Sequence, residues 1–445
     1  MGRVKTAVLI NHTAEMGGAE FALIRLIASM DRTKWQPVVV FGADGPAADR
    51  LRKMSVETYV LPLGEALRST KKDSLTQKGF FSVRRWVGLA GYSLRLSRFL
   101  KERAADIVHT NSMKAHVLGG LAARLAGVPL VWHVRDSIER SYLPVAAVKA
   151  MQLLAARLPD KIVAVSENIA QSILGENWKS RAKVIYDGLE PAAFENPSSP
   201  AETPEWRIGI VGRLTPWKGQ HVFIEAAAAL LSKGYPVSFE ILGSALFGEE
   251  KYATGLHRQI ATLGVGSRIQ FRGFVSDVGQ RMRLWDVCVH ASTSPDPCPN
   301  VVLEAMAAGV PVVGSNGGGV PELLDRGRCG ELYPMGNSAE LANAMERLLL
   351  NRERRAALSQ CARERAMALF RSDRVWAEVE EIWDSLAEPQ TWKKRSWPWI
   401  ENGLGLSRER INPVKNPIGA SSAAMEPVLM HDKGIVSEIY TNCPK

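Results

Sequence analysis

The chain has 445 residues, of which 46% are hydrophobic and 23% charged, a composition that is typical of soluble globular proteins and excludes a mostly disordered chain. Its length exceeds what one ordinary core accommodates and predicts two α/β domains. The sequence contains no run of 18 apolar residues, so no membrane-spanning helix is predicted. The five cysteines are widely spaced and include no Cys-x-x-Cys pair, so neither a disulfide scaffold nor a zinc site is expected.

The net charge of +10 is concentrated in the first half of the chain. Residues 1–190 contain 28 Lys and Arg against 17 Asp and Glu, whereas the remaining residues contain 28 against 29. This basic half predicts an anionic partner. Charge alone does not distinguish between nucleic acid, anionic lipid headgroups and a phosphorylated substrate. Because no recognisable module clusters aromatic residues with Lys and Arg, we expect no specific nucleic-acid binding.

The first predicted element is a strand at residues 6–10. A signal peptide would need a cleavage site after this apolar run, but Asn11, His12 and Glu15 follow it. We therefore expect a cytoplasmic protein, with a peripheral position on the inner membrane face as a further hypothesis.

Short apolar runs then alternate with helical patterns, which predicts a parallel sheet flanked by helices. A helix is predicted at 19–30, and further strands at 37–41, 57–61, 107–109, 130–133 and 161–165. Residues 1–188 are therefore predicted to form a Rossmann-like, doubly wound domain. Segment 189–206 contains four prolines among Asn and Ser, a composition that predicts the linker.

A second alternating series follows the linker and predicts a second Rossmann-like domain over 207–370. Its predicted strands are 207–211, 238–242, 269–271, 287–290 and 310–313, and its predicted helices are 220–232, 251–263 and 301–308. An amphipathic helix is predicted within 371–388. Segment 389–445 has no periodicity and is interpreted as an irregular or disordered tail. Its Trp, Lys and Arg cluster at 392–399 is also compatible with a membrane surface.

Two cations follow the predicted strand at 207–211. Arg213 and Lys218 both precede the next helix, and open α/β sheets bind ligands at the carboxyl ends of their strands. The residues could bind an anion there, or they could be two solvated loop cations.

A second candidate segment is rich in proline and leads into the predicted helix at 301–308. Asp296 and Glu304 are eight residues apart, and Gly309 is expected to end the helix. Free amides near Asn300 and Val301 at the helix start suit a phosphate, and Glu304 lies one turn further on, as a ribose-binding carboxylate would. The alternative is an ordinary helix start with a surface acid.

Glycines form the third candidate element. Gly17 and Gly18 lie between the first strand and its helix, and 317–319 is a similar glycine loop in the second half of the chain. Glycines let a backbone approach an anion closely, although a purely structural turn explains the same residues.

Two histidines fall at predicted strand ends. His109 and His133 are both candidates for the cleft, with Arg135 and Asp136 beside the latter; the alternative for either is a hydrogen-bonded structural histidine. The sequence contains no Asp-x-Asp for a divalent metal, so metal-free phosphate handling is predicted, with no cofactor.

These elements, in this order, resemble glycosyltransferase family 4, the retaining transferases of GT-B architecture, over about residues 5–385. The matching pieces are Gly17-Gly18-Ala19-Glu20, His109, Trp132-His133, Val163-Ala164-Val165-Ser166-Glu167, Ile185-Tyr186-Asp187-Gly188, Gly212-Arg213-Leu214, Lys218-Gly219 and Asp296 through Gly309 with Pro311. The resemblance implies two Rossmann-like domains facing across a cleft, with the last helix crossing back to the amino-terminal domain.

The resemblance also implies roles for the candidate residues. Arg213 and Lys218 would neutralise a donor diphosphate, Gly17 or Gly18 amides would touch it from the other domain, and Glu304 would bind ribose hydroxyls.

The same resemblance assigns the sugar contacts. His133 would contact the donor sugar and Asp296 other sugar hydroxyls. The family more often has Glu at the position of Asp296, Phe-Gly at Cys298-Pro299, and Asn at Asp187. Because Pro299 has no amide, Asn300 and Val301 remain as the phosphate donors.

The activity expected from this resemblance is transfer of a hexose or N-acetylhexosamine from a nucleotide diphosphate sugar, such as a UDP-sugar, with the nucleotide sugar as co-substrate. The basic first half suggests a saccharide or lipid-linked acceptor of polysaccharide biosynthesis and an anionic membrane surface as partners. Two alternatives keep the fold: a non-catalytic partner subunit, and a glycosyl phosphorylase.

Overall fold

A computed structural model describes residues 3–64, 83–138, 143–197, 205–246, 248–275 and 277–388. These residues form two parallel β-sheets with α-helices between successive strands, which confirms the predicted α/β class with two Rossmann-like units. The predicted tail at 389–445 and its Trp, Lys and Arg cluster lie outside the described residues. None of the described helices combines the length and apolarity needed to cross a membrane.

The first sheet has seven strands in the order β3-β2-β1-β4-β5-β6-β7. They are β1 (Lys5–Asn11), β2 (Trp35–Phe41), β3 (Glu57–Val60), β4 (Ile107–Thr110), β5 (Leu130–Val134), β6 (Lys161–Ala164) and β7 (Ala182–Val184). The helices among them are α1 (Gly18–Ala28), α2 (Pro46–Lys53), α3 (Val83–Glu102), α4 (Met113–Ala126), α5 (Val145–Arg157) and α6 (Glu167–Leu174). The central strands are apolar throughout because helices cover both faces of the sheet.

The second sheet has six strands in the order β10-β9-β8-β11-β12-β13. They are β8 (Trp206–Val211), β9 (Val237–Leu242), β10 (Ile269–Gly273), β11 (Val287–His290), β12 (Val312–Ser315) and β13 (Glu331–Tyr333). The helices that follow β8 are α7 (Gln220–Ser232), α8 (Glu250–Leu263), α9 (Val278–Met282), α10 (Asn300–Ala308), α11 (Val320–Leu323), α12 (Ser338–Leu350), α13 (Arg352–Leu369) and α14 (Ser372–Ala387).

Helix α14 returns to the first sheet. Its buried residues Val375, Trp376, Val379, Ile382 and Trp383 belong to the same apolar cluster as residues of β1, β2, β4 and β5. The amphipathic pattern predicted this helix, and the structure confirms that it packs on the amino-terminal half.

The chain crosses between the two sheets twice, at adjacent positions. The amide of Leu189 donates to the carbonyl of Phe370 (2.7 Å), and the amide of Ser372 donates back to Leu189 (2.9 Å). A Cβ atom at Gly188 would lie 2.8 Å from Cα of Ser372, so this close crossing requires glycine. The linker also contains a short 3-10 helix, Pro191–Phe194, which the sequence did not predict; the domain boundaries stay predictions.

The described residues contain one disulfide that the sequence analysis did not predict. Cys329 and Cys361 form a disulfide with Cα atoms 5.1 Å apart. Both cysteines lie in one apolar cluster, formed where α13 packs against the turn before β13. The two cysteines are 32 positions apart in the chain. This spacing does not indicate a pair, because only the packing of α13 brings the two side chains together.

Candidate functional site

The candidate residues of the second domain follow the carboxyl ends of β8 and β11. These two strands are parallel neighbours at the centre of the second sheet, and the chain runs from β8 to β9 on one side and reaches β11 on the other. Such a reversal of strand order leaves a crevice outside the strand ends where α/β proteins bind ligands.

The loop after β8 is held against β11 by a glycine. Gly219 has φ of 72°, and a Cβ atom at this position would lie 1.8 Å from the carbonyl oxygen of Ala291. Glycine tolerates both the left-handed backbone and the close approach. The contact places Lys218 beside the loop that follows β11. Arg213 lies earlier in the same loop with an exposed side chain.

Lys218 and Asp296 form a buried ion pair. Nζ of Lys218 lies 2.6 Å from Oδ2 of Asp296, whose side chain is 8% exposed. Burial acts to raise the pKa of the Asp296 carboxyl, but the Lys218 ammonium and a hydrogen bond from His290 hold that pKa below its ordinary value. The structure therefore brings together the residue predicted to bind phosphate and a residue predicted to contact sugar.

His290 is a site residue that sequence reasoning missed. Its Nε2 lies 3.3 Å from Oδ2 of Asp296, and its Nδ1 lies 3.1 Å from Oγ of Ser315. Burial lowers the pKa of His290. Its place at the end of β11, the same kind of position as His109 and His133, was the signal that could have found it.

The helix predicted at 301–308 begins one residue earlier and ends as predicted. Helix α10 starts at Asn300 and ends at Ala308, with Gly309 in the left-handed conformation. The amides of Asn300 and Val301 donate to no acceptor within the described part of the chain, as expected for the first turn of a helix. Nδ2 of Asn300 lies 3.4 Å from the carbonyl oxygen of Gly18 in the first domain.

The glycine turn at Gly17 and Gly18 therefore faces the start of α10. Gly17 precedes the first turn of α1, and a Cβ atom at Gly18 would lie 3.3 Å from Nδ2 of Asn300. We call the space between the strand ends of the first sheet and those of the second sheet the interdomain cleft. The other glycine loop, 317–319, packs against the Asp296 segment: Gly319 donates its amide to the carbonyl of Asp296 at 2.8 Å.

Glu304 is paired across the cleft with a residue that the sequence did not single out. Nη2 of Arg25, on α1, lies 3.1 Å from Oε1 of Glu304, and Nη1 of Arg25 lies 3.4 Å from Oδ1 of Asn300. Burial raises the pKa of the Glu304 carboxyl, and Arg25 opposes this shift. Arg25 lies within a helix of apolar residues, so its cross-domain contact had no signal in the pattern.

The histidines lie on the first sheet, at the other side of the cleft. Nε2 of His109 lies 3.2 Å from Nδ1 of His133, and Nη2 of Arg135 lies 3.3 Å from the same His133 atom. Burial, followed by the charge of Arg135, lowers the pKa of His109 to about 3 and that of His133 well below its ordinary value. Both rings are therefore neutral at pH 7.

Arg135 connects this cluster to the rest of the cleft. It forms an ion pair with Asp187 and donates to Oδ1 of Asn111 at 2.7 Å. Asp187 thus pairs with Arg135 in the structure, although the sequence suggested no role for it. Cys298 contacts the apolar clusters of both domains, which places the Asp296 segment opposite Arg135. No group of three or more His, Cys, Asp or Glu among the described residues could hold a metal ion.

Two Rossmann-like sheets whose strand ends face each other define a GT-B type of protein. Sequence comparison agrees: the family described as Glycosyltransferase Family 4 matches residues 16–193, and the family described as Glycosyl transferases group 1 matches residues 193–365. The chain belongs to the group 1 glycosyltransferases of GT-B fold, of the family 4 type.

Individual relatives are distant. Spore coat protein SA of Bacillus subtilis is 28% identical over 50% of this chain and 64% of its own length, so this chain spans somewhat less than two thirds of that relative. The phosphatidyl-myo-inositol mannosyltransferase of Mycobacterium leprae is 28% identical over 75% of this chain and 84% of its own length. Among solved structures, HepE of Anabaena in complex with UDP has a TM-score of 0.73 and 28% identity, covering 86% of this chain and all of that one.

Proposed function

We propose that this protein transfers a hexose or N-acetylhexosamine from a nucleotide diphosphate sugar to an acceptor. The observation that carries the proposal is the grouping of Lys218, Asp296 and the free amides of α10 beyond the carboxyl ends of the central strands of the second sheet. Cations and helix amides suit a diphosphate, and a buried carboxylate suits sugar hydroxyls. HepE, at 28% identity, has been solved with UDP and with UDP-glucose, which supports a UDP-sugar as donor.

The diphosphate would be bound from both domains. Lys218 has three N–H groups, of which Asp296 engages one, so the ammonium can bind a phosphate without leaving its partner. Arg213 adds a planar guanidinium. The amides of Asn300 and Val301 would contact phosphate oxygens from the second domain.

The remaining contacts orient the nucleoside and the sugar. From the first domain, Gly17 or Gly18 amides would complete the phosphate site. Glu304 would bind the ribose hydroxyls, and Asp296 and His133 would bind sugar hydroxyls. Arg25 keeps the Glu304 carboxylate close to Asn300, so ribose and phosphate ligands lie within one turn of α10.

The reaction breaks the bond between the anomeric carbon and the diphosphate and forms a bond from that carbon to an acceptor oxygen. Negative charge grows on the leaving phosphate, where Lys218, Arg213 and the α10 amides stabilise it more in the transition state than in the ground state. The acceptor proton passes to the leaving phosphate. Membership of the family supports retention of the anomeric configuration.

Because lysine, arginine and backbone amides can neutralise the diphosphate, we propose that transfer requires neither a metal ion nor a cofactor. Full activity in excess chelator is the expected result. Loss of activity in chelator, restored by added magnesium or manganese, would contradict this part of the proposal.

The acceptor is proposed to be a lipid-linked saccharide or polysaccharide precursor at the cytoplasmic membrane face. The basic charge of residues 1–190 supports an anionic or membrane-borne acceptor. Liposome flotation tests the electrostatic part: binding is expected to anionic vesicles and to weaken with salt. Equal binding to neutral and anionic vesicles would reject it.

The donor is tested by incubating the protein with a panel of UDP-, GDP- and ADP-sugars and measuring donor consumption. We expect one sugar nucleotide to be consumed and Arg213→Ala to slow that reaction, whereas unchanged consumption would contradict the assignment of Arg213. The control is Lys233→Ala, because Lys233 is an exposed cation paired with Glu346 on α12. Donor binding without turnover would indicate a non-catalytic partner, and phosphate-dependent sugar release a phosphorylase.

A further inference from the structure

The crossing helix α14 contacts the histidine pair of the first sheet through one hydrogen bond. Nε1 of Trp383 lies 3.2 Å from Nδ1 of His109, and both side chains are fully buried. The indole packs edge-on against Trp35 and Trp376, with ring centroids 5.1 and 5.2 Å away. The hydrogen bond is therefore formed inside a tightly packed aromatic cluster.

The chemistry of the indole determines where the proton of His109 resides. An indole N–H can only donate, so Nδ1 of His109 must accept and is unprotonated. Because His109 is neutral, its single ring proton is on Nε2. That proton points along the 3.2 Å contact to Nδ1 of His133, so His109 is the donor to His133.

A second donor reaches the same atom of His133. The guanidinium of Arg135, like the indole N–H, can only donate. Its Nη2 lies 3.3 Å from Nδ1 of His133. Both contacts therefore require an unprotonated Nδ1 and a proton on Nε2 of His133. That Nε2 atom is buried and has no hydrogen-bond partner among the described residues, and a buried donor without a partner is costly.

We propose that Trp383 is a positioning residue, which acts through His109 to fix the tautomer of His133 so that its Nε2–H is available as a hydrogen-bond donor to a ligand in the cleft. The identity of that ligand as a donor-sugar hydroxyl rests on the proposed function, whereas the tautomer itself does not. Through these two hydrogen bonds, the docking of α14 on the first sheet favours the Nε2–H tautomer of His133.

The structure offers a matched pair of variants. Trp383→Phe removes the N–H that donates to His109 and keeps an aromatic ring. Trp376→Phe, one of the two tryptophans packed against Trp383, removes an N–H that has no partner among the described residues. Both changes replace a buried indole by a phenyl ring on the same helix, and only Trp383→Phe removes a hydrogen bond to His109.

The first measurement is nitrogen NMR of the full chain labelled with 15N in its histidine rings, because the two tautomers give different ring-nitrogen shifts. We expect His109 and His133 to carry their protons on Nε2 in the native protein and in Trp376→Phe. In Trp383→Phe we expect a mixture of tautomers at His109 and a smaller share of the Nδ1–H form at His133, because Arg135 still donates to Nδ1 of His133. An Nδ1–H form of His133 in the native protein would overturn the proposal, and so would an unchanged, pure Nε2–H form of His133 in Trp383→Phe.

The second measurement is steady-state kinetics with the sugar nucleotide found in the donor screen. One neutral hydrogen bond corresponds to about a two- to tenfold effect, so we expect Trp383→Phe to lower kcat by about that factor relative to Trp376→Phe, with a smaller change in donor KM. Equal kinetics for the two variants would overturn the link to the ligand. Because the NMR result needs no turnover, failure of the proposed transferase activity would leave the tautomer test intact.

Discussion

Nζ of Lys218 lies 2.6 Å from Oδ2 of Asp296, although 78 positions separate the two residues in the chain. The pair joins the loops that follow the central strands β8 and β11, and it keeps a carboxylate ionised in a buried place. One contact therefore sets both the position of the proposed phosphate cation and the charge of the proposed sugar ligand.

The first prediction concerns the cation. Lys218→Ala removes a charge-assisted hydrogen bond to the leaving phosphate, which is worth roughly 1.5 to 3 kcal/mol, so kcat/KM is expected to fall about tenfold to a hundredfold. The kinetic comparison is with Lys233→Ala, which removes an exposed cation of the same domain. A Lys218→Ala enzyme as active as Lys233→Ala would remove Lys218 from the donor site.

The second prediction concerns the pH dependence of stability. Because the folded pKa of Asp296 is lowered, its carboxylate stabilises the fold above the unfolded pKa of about 3.9, and this contribution is lost as the pH falls through the folded pKa. We expect Asp296→Asn to lower the free energy of unfolding at neutral pH, with a deficit that shrinks from about pH 5 to about pH 3. Urea unfolding at each pH measures it; a deficit that does not change with pH would contradict the ion pair.

The third prediction concerns the cross-domain pair of Arg25 and Glu304. Arg25→Gln leaves a buried carboxylate without its cation and is expected to lower the free energy of unfolding by up to about 3 kcal/mol, less than for a fully buried pair because the Glu304 side chain is 20% exposed. The double variant with Glu304→Gln is expected to recover part of this loss because the buried carboxylate is removed, whereas Glu190, the other carboxylate paired with Arg25, is 40% exposed to water. Strictly additive effects in urea unfolding would show that the two side chains do not interact.

The fourth prediction concerns the backbone that places Lys218. Gly219→Ala adds a methyl group where the carbonyl oxygen of Ala291 lies 1.8 Å away, so the loop must move and both stability and activity should fall. Gly234→Ala is the control, because Gly234 also has positive φ, of 83°, but nothing lies within 4 Å of the added atom. We expect the control to cost about 1 kcal/mol from backbone strain alone and to retain activity. Equal losses in thermal unfolding and turnover for both variants would contradict this account.

Sequence patterns predicted the central strands well but missed the two shortest strands. The apolar runs at β1, β2, β8 and β11 are buried on both faces by helices, and such runs are visible without any tertiary information. Strands β7 and β13 have three residues each and were missed, because a strand this short is assigned only when a neighbouring strand pairs with it. The bond between Cys329 and Cys361 was missed for the same kind of reason.

The residues of the candidate site were also predicted only where a local pattern indicates them. Gly309 ends α10 as predicted because a left-handed glycine after an apolar helix is a local signal. Arg25 and His290 were not identified, since each looks ordinary within its own element. Arg25 belongs to the site because it contacts Glu304, and His290 because it contacts Asp296.

The sequence by itself determined the two series of parallel strands, the loops that carry Arg213 and Lys218 to their ends, and the helix start at Asn300, because periodicity, glycine and proline act over a few residues. Only the tertiary structure decided that Lys218 pairs with Asp296, that Arg25 reaches Glu304, and that Trp383 donates to His109 from 274 positions away. Such contacts depend on the strand order and on the return of α14 to the first sheet, so no local pattern encodes them. The Nε2–H tautomer of His133 is favoured by two donors to its Nδ1, Arg135 directly and His109 with its proton set by Trp383.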